Sequence, residues 1–391
     1  GTPFLIEEIT DYHVTLRDPS LFYPVLRAES RESFLQLLER YPQTQAVQEK
    51  AEDFRITENH LGGGSKREKY QRNVAAITAL QTIERENRPA TKEEQETLSQ
   101  YVGWGGLPEV FDESKDNWHG EYLQLKDLLT EDEYEMARAS TLNAHYTSPT
   151  VIKAIYDAVE QMGFKSGNIL EPACGTGNFF GMLPDSMQGS NLYGVELDSI
   201  TGRIAKQLYP SANIAITGFE RTALPDSFFD LAIGNVLFGN YKLTEKRYDS
   251  QNFLIHDHFF AKALDKVRPG GIVAFVTSKG TMDKKNPEVR RYLAQRAELL
   301  GAIRLPSNAF SKNAGTEVTS DIIFLQKRDR PIDVDRDWIH LGLDENDITL
   351  NSYFADHPEM ILGNMEMVSG QFGEESACVP IEGADLSEQL K

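Results

Sequence analysis

The stretch EPACGTGNFF occupies residues 171–180, between a short apolar run, Ile169-Leu170, and a helical pattern. A strand, a glycine turn and a helix in that order mark an α/β sheet that holds a ligand at its carboxyl edge. Gly175 and Gly177 let the backbone approach a ligand closely, because no Cβ intervenes. The helix start beyond them favours negative charge. An NAD-type G-x-G-x-x-G is not present, since Phe180 stands where the third glycine would be.

The same texture continues downstream. Apolar runs at Leu192–Val195, Ile214–Ile216, Leu231–Ile233, Ile272–Val276, Leu300–Leu305 and Thr319–Gln326 alternate with helical patterns. They predict a doubly wound parallel sheet with helices on both faces. No helical pattern separates Leu305 from Thr319, which leaves the last two strands free to pair antiparallel. Upstream, Ser148-Pro149 reads as an N-cap and a first helical residue. Before Thr141 the chain reads as mainly helical. A helix spans Lys66–Glu86, Thr91 and Glu94 form a capping box, and more helix runs to about Ala139. The turn-rich aromatic segment YVGWGGLPEVF (101–111) lies between them. The expected organisation is a segment 1–53 of unknown role, with a helical apolar pattern at Phe34, Leu35, Leu37 and Leu38. A helical region 54–140, an α/β core 141–330 and an acidic extension 331–391 with few periodic features follow.

No run of about 18 apolar residues exists, so no membrane span is expected. The N-terminal GTPFLIEEIT lacks the pattern of a secretory signal. Two cysteines, Cys174 and Cys378, make neither a disulfide framework nor a zinc site, so no metal is expected and a reducing cytoplasm fits. The net charge of −20 argues against a nucleic-acid partner only at first sight. Residues 331–391 hold 14 Asp and Glu against Arg336 and Lys391, which is −12 of the total. Elsewhere basic clusters stand at Lys66-Arg67-Lys69-Arg72, at Lys242 with Lys246-Arg247, and at Lys284-Lys285 with Arg290-Arg291. Each reads equally as a solvated face or as a phosphate contact.

Three further segments carry chemistry. Glu196 in YGVELD lies 19 positions beyond Gly177, where a carboxylate can accept both ribose hydroxyls of a nucleoside-containing cofactor. Phe219 and Glu220 follow the third strand; an acid there can bond an adenine amino group and an aromatic can flank its ring, although a loop without a ligand is the plainer reading of the spacing. GNVLFGNY (234–241) puts Asn235 at the carboxyl end of the fourth strand. An aromatic amine is a poor nucleophile because its lone pair is delocalised. The Asn235 side-chain oxygen and the Val236 carbonyl can accept both amino hydrogens and localise that pair toward a methyl donor. Phe238 can stack on a base turned out of a duplex, or can simply be a buried core residue.

In this order and spacing, EPACGTGNFF, GVELD and GNVLFGNY resemble the N6-adenine DNA methyltransferases over about residues 141–328. The resemblance implies a Rossmann-like methyltransferase sheet of seven strands, the last antiparallel. It also implies S-adenosyl-L-methionine as cofactor and adenine in DNA as the methyl acceptor. It places Glu171, Pro172, Ala173, Gly175, Gly177, Asn178 and Phe179 in the loop at the methionine end, Glu196 with Leu197 at the ribose, and Phe219 with Glu220 at the adenine. His145, Tyr146 and Thr147 of HYTSP close over the methionine end, and Asn235 touches cofactor and target alike. Lys242, Lys246 and Arg247, in the loop after the Asn235 motif, become the candidates for DNA phosphates.

LGGGSKREKY (61–70), YVGWGG (101–106) and STLNAHYTSP (140–149) are similar to the methylase region of very large proteins of bacterial mobile elements. In those proteins a helicase-like region follows, and no large target-recognition domain is evident in the present core. A fused helicase-like region or a separate specificity module is therefore an expected partner besides DNA. Val236 and Leu237 occupy the two proline positions of the family motif, and Leu237 predicts a slowed enzyme. Methyl transfer to RNA or to protein glutamine, and a non-catalytic binding module, remain alternatives. An NAD-dependent oxidoreductase would leave residues 235–241 unexplained.

Overall fold

The computed structural model describes residues 5–9, 13–17, 26–30, 33, 51–57, 62–141, 147–237, 239–310, 318–370 and 373–391. The expected pattern at Phe34 to Leu38 lies outside them. Near the N-terminus, β1 (Leu5–Ile9), β2 (His13–Arg17) and β3 (Leu26–Ser30) form an antiparallel sheet.

The helical region follows as α1 (Lys66–Glu86), α2 (Lys92–Ser99), α3 (His119–Leu128) and α4 (Glu131–Ser140). Ser65 with Glu68, Thr91 with Glu94, and Thr130 with Glu133 cap α1, α2 and α4 with reciprocal capping boxes, satisfying backbone amides that no helix bond reaches. Then α5 (Pro149–Gln161), capped by Ser148, leads into β4 (Asn168–Glu171). The sheet is completed by β5 (Asn191–Glu196), β6 (Asn213–Ile216), β7 (Phe229–Asn235), β8 (Val267–Ser278), β9 (Ala297–Leu305) and β10 (Ser320–Lys327). Its order is β6-β5-β4-β7-β8-β10-β9. Strands β4 to β8 run parallel, and β10 is antiparallel to both β8 and β9. The seven-stranded sheet with an antiparallel last strand is as the sequence reading expects.

Period-two alternation sorts each strand onto two cores. Ile169, Ile233, Val276 and Ile322 face one side, while Leu170, Ala232, Phe275 and Ile323 face the other. Both faces are covered, which is why these strands read as continuous apolar runs. The first face is covered by α5, by α7 (Ser199–Leu208) and by the helical region, whose Ile77, Leu80 and Trp104 join the same cluster as Ile169. Gln95 donates to Gln207 O, and Arg203 pairs with Glu84 at 3.1 Å and with Glu133. The second face is covered by α8 (Ile255–Lys266) and α10 (Glu288–Arg296), the latter preceded by the single turn α9 (Gly280–Asp283).

The acidic extension has more structure than its sequence texture suggests. It forms two hairpins, β11–β12 (Leu341–Leu343, Thr349–Asn351) and β13–β14 (Asn364–Gly370, Gly373–Val379), and α11 (Ser352–Asp356). Its Trp338, Ile339, Leu350 and Phe354 enter the second core. Strands β11 and β12 have three residues each, and the seven-residue β13 and β14 are largely exposed with Glu366, Glu374 and Glu375 in solvent, so neither hairpin shows an apolar period. Beneath it Arg304 is fully buried, paired bidentately with Asp321 at 2.8 and 2.9 Å and with Asp283 at 2.8 Å, with Phe354 against its guanidinium.

Candidate active site

The carboxyl ends of β4, β5, β6 and β7 meet at one cavity of about 340 Å³, beside the point where strand order reverses. The glycine turn forms its floor. Gly175 and Gly177 both have positive φ, +56° and +87°. An added Cβ at Gly175 would meet nothing within 4 Å, whereas at Gly177 it would strike the Tyr209 ring at 2.5 Å. Gly175 therefore borders the cavity, and Gly177 is held by chain packing; it is not among the cavity-lining residues. The helix beyond is a single turn, α6 (Asn178–Gly181), so its aligned dipoles sum to little and the expected attraction for anions has small support here.

Glu196 ends β5 and turns back over the loop. Its Oε2 accepts from the Gly175 amide at 2.9 Å and its Oε1 from the Asp198 amide at 2.8 Å. Burial, with the Asp198 charge adding to it, pushes the carboxyl up to about 7 in spite of these amides. Glu171 ends β4 fully buried. Burial first, and then Glu196, holds it well above the ordinary carboxylate range, and its Oε2 has no hydrogen-bond partner among the described residues. Asp198 caps α7 through Oδ2, which accepts from Thr201 N at 3.2 Å, while its buried Oδ1 is also unpartnered. Leu197, between the two acids, is 55% exposed at the cavity wall.

Phe219 and Glu220 form the wall beyond β6, with Phe219 buried against Phe259 at 5.0 Å. Opposite, Asn235 ends β7. Its Oδ1 is buried without a hydrogen-bond partner among the described residues. Val236 is buried and donates its amide to Val276 O at 3.1 Å, continuing the β7–β8 ladder by one residue.

Thus Thr147, Glu171, Pro172, Ala173, Gly175, Asn178, Phe179, Glu196, Leu197, Phe219, Glu220, Asn235 and Val236 border one cavity. His145, Tyr146 and Phe238 lie outside the described residues. Lys242, Lys246 and Arg247 lie outside the cavity. Arg247 pairs with Asp226 at 2.8 Å and Asp265 at 2.9 Å, and Lys242 donates to Asn252, while Lys246 is exposed. Of the other basic residues, Lys66 and Arg67 pair with Glu109 and Glu121, Lys284 pairs with Asp257, and Arg290 is buried against the Ile339 and Lys284 carbonyls.

Five cavity residues from the helical region escape the sequence reading: Tyr101, Gly103, Met136, Ala139 and Ser140. The signal for the first two was the glycine-rich YVGWGG in an otherwise helical stretch, and Ser140 opens the quoted STLNAHYTSP; Met136 and Ala139 carry none. Leu237, Tyr241, Leu243, Ile255 and Phe259 complete the wall near Asn235. Among the described residues no cluster of His, Cys, Asp and Glu could hold a metal ion. No helix among them is long and apolar enough to cross a membrane.

Defense against restriction protein B of Escherichia phage P1 is 31% identical over 193 residues, 48% of this chain and 8% of that protein. Modification methylase CviBIII of Paramecium bursaria Chlorella virus NC1A is 24% identical over 136 residues, 34% of this chain and 36% of the relative. The matches thus span well under half the length of either relative. Among solved structures, a Listeria monocytogenes protein assigned to the class I S-adenosylmethionine-dependent methyltransferases superposes with a TM-score of 0.42 at 16% identity, over 69% of this chain and 90% of that one. The M protein of type I restriction enzyme EcoKI gives 0.37 at 16% identity, over 69% and 65%. A family model described as N-6 DNA Methylase matches residues 132–339, more than half of the 391, and the chain belongs to that family.

Proposed function

We propose that this chain transfers a methyl group to the N6 amino group of adenine in DNA, acting on a base turned out of its helix. The cofactor of the family is S-adenosylmethionine. The residues present suit it. Among the described residues, three buried oxygens on the cavity lining, Glu171 Oε2, Asp198 Oδ1 and Asn235 Oδ1, lack donors. Leaving such groups unpaired costs about 1–3 kcal/mol each. The cofactor's ammonium, ribose hydroxyls and adenine amino group, with the amino group of a target base, are donors of the required kind. When bound, the cofactor supplies an electrophilic methyl group on a sulfonium centre.

The observation that carries the proposal is Asn235 Oδ1, buried and without a partner among the described residues, in the same cavity as Glu196. In its carboxylate form Glu196 accepts both ribose hydroxyls. Gly175, Glu171, Asn178 and Thr147 border the methionine end, joined by His145 and Tyr146. Phe219 and Glu220 flank the adenine. Asn235 Oδ1 and the Val236 carbonyl accept the two amino hydrogens of the target base, and Phe238 stacks on it. This localises the amine lone pair and fixes its direction of attack. Lys246, with Lys242 and Arg247 after their present partners exchange, meets the DNA phosphates. Residues 54–140, 141–330 and 331–391 act together in this reading, with a helicase-like region or a specificity module as the partner that selects the target.

The test is incubation with labelled S-adenosylmethionine and a mixture of single- and double-stranded DNA, RNA and protein, followed by digestion. Label recovered as N6-methyladenine from DNA supports the proposal. Label in RNA or protein assigns a different acceptor. Cofactor binding with no transfer to any of them assigns a binding module.

A further inference from the structure

Behind the two walls of the cavity lies a polar chain that the reaction does not itself use. Lys262, in the middle of α8, is fully buried. Its ammonium donates to Phe219 O at 2.7 Å and Thr222 O at 3.3 Å, and to Glu245 Oε1 at 2.9 Å. It also lies 5.0 Å from the centre of the Phe219 ring. Glu245 belongs to the segment 239–252 that follows the Asn235 motif. Its other oxygen, Oε2, meets His258 Nε2 at 2.7 Å. A carboxylate can only accept, so His258 carries its proton on Nε2. Glu245 also sets the segment's own turn, since its carbonyl accepts from the amides of Tyr248 at 2.8 Å and Asp249 at 3.0 Å. The first contacts hold the wall against which the cofactor's adenine is placed; the last hold the segment on the target side.

A lysine buried to this degree is costly unless every donor is used. Here one ammonium spends its donors on both walls at once. Burial would raise the Glu245 carboxyl, but the His258 and Lys262 hydrogen bonds outweigh it and keep it below the ordinary range. The Lys262 ammonium is itself lowered by burial, with the Glu245 hydrogen bond and charge opposing that shift.

We propose that Lys262 is a positioning residue that links order in the Phe219–Thr222 turn to order in segment 239–252, so that cofactor and target base bind with positive coupling. The link rests on the reading of the cavity given above. Coupling of this kind is reciprocal: a cofactor that steadies the first wall steadies the second, and a base held by the second tightens the cofactor.

Hydrogen exchange of the peptide covering residues 239–252, with and without saturating S-adenosylmethionine, reads the link directly. In the wild type the cofactor slows exchange there at least threefold. Glu245→Ala cuts the link on the target side alone: cofactor affinity, measured by calorimetry, stays within twofold, and the slowing is lost. Lys262→Met cuts both sides, weakening cofactor binding at least fivefold as well as abolishing the slowing. Thermal melts of all three proteins accompany these measurements, and Glu245→Ala carries the test if Lys262→Met does not fold. Slowing of the same size in Glu245→Ala overturns the link, as does cofactor binding by the wild type without any slowing. A wild type that fails to bind the cofactor at all overturns the reading of the cavity, and the link falls with it.

Discussion

The two ends of the cavity are built in contrasting ways. Around β4 and β5 the chain is tied down by its own backbone: Gly175 N and Asp198 N hold Glu196, and Cys174 N bonds Val195 O at 2.9 Å. Around β7, Asn235 Oδ1 has no partner among the described residues, and the segment beyond depends on side-chain contacts such as Glu245 with Lys262 and Tyr248 with Asp265. A backbone-to-backbone tie such as Cys174 N to Val195 O survives most substitutions of surrounding side chains, and the other two ties here converge on the one Glu196 carboxyl. Side-chain ties each depend on one or two residues. Among the described residues both ends keep open acceptors, Glu171 Oε2 and Asp198 Oδ1 at the first and Asn235 Oδ1 at the second; what differs is that the second adjoins a segment held by side chains, suited to a group that must arrive and leave.

Substitutions separate the two ends. Asn235→Ala removes an acceptor aimed at the reacting amine, and on the scale of a lost transition-state hydrogen bond methyl transfer drops by about 10²–10³-fold or beyond detection. Full methylation by that variant would mean the reacting amine is not held at the β7 end. Glu196→Ala leaves two ribose hydroxyls without their acceptor, and S-adenosylmethionine titrated by calorimetry binds at least about tenfold more weakly. Wild-type affinity would remove the ribose from the preformed end.

The pH dependence sharpens the same point. With the Glu196 carboxyl near 7, the accepting carboxylate is the minor form at pH 6 and the major form at pH 8. Cofactor affinity therefore strengthens by roughly fivefold to tenfold across that interval, and Glu196→Gln flattens the profile. The sign for stability is opposite. A raised carboxyl binds more protons in the folded than in the unfolded chain between pH 4.5 and about 7, so this group makes the ligand-free protein less stable as pH rises through that window.

The smallest effect belongs to Leu237. Proline there would fix φ and bias Val236 toward an extended conformation, worth roughly 0.4–1 kcal/mol of chain entropy. Leu237→Pro should leave the methylation rate equal or up to about fivefold higher. Inactivity of both forms on every DNA, with cofactor bound, would favour a non-catalytic module.

Much of this was legible in the sequence because the sheet is buried on both faces and its strands read as unbroken apolar runs. The glycine turn and Glu196 are separated by one strand–helix–strand unit, so local spacing suffices to pair them. The contribution of Met136 and Ala139 is not legible, since it depends on how a helical region docks against a distant sheet, whereas YVGWGG marks Tyr101 and Gly103 without saying where they dock. Lys262 is hidden for a different reason. In IHDHFFAKALDK a lysine reads as the wet face of an amphipathic helix, yet α8 is buried almost all round and its charged groups are satisfied by loops far away in sequence. The extension escaped because β11 and β12 have only three residues each, while the seven-residue β13 and β14 are largely exposed and so carry no apolar alternation.

The packing of that extension sets a boundary for anyone who wishes to trim the molecule. A fragment stopping at Arg330 looks natural on the page, with a finished sheet and an acidic tail discarded. It would strip Trp338, Ile339, Leu350 and Phe354 from the second core, the cluster that also holds Leu293, Ala302, Ile323 and Leu325. It would also take away the ring that shields Arg304 and the Asn351 amide that bonds Asp283 at 3.0 Å. The shortest piece that keeps its surface polar must run past Phe354, and most of the molecule's excess negative charge travels with it.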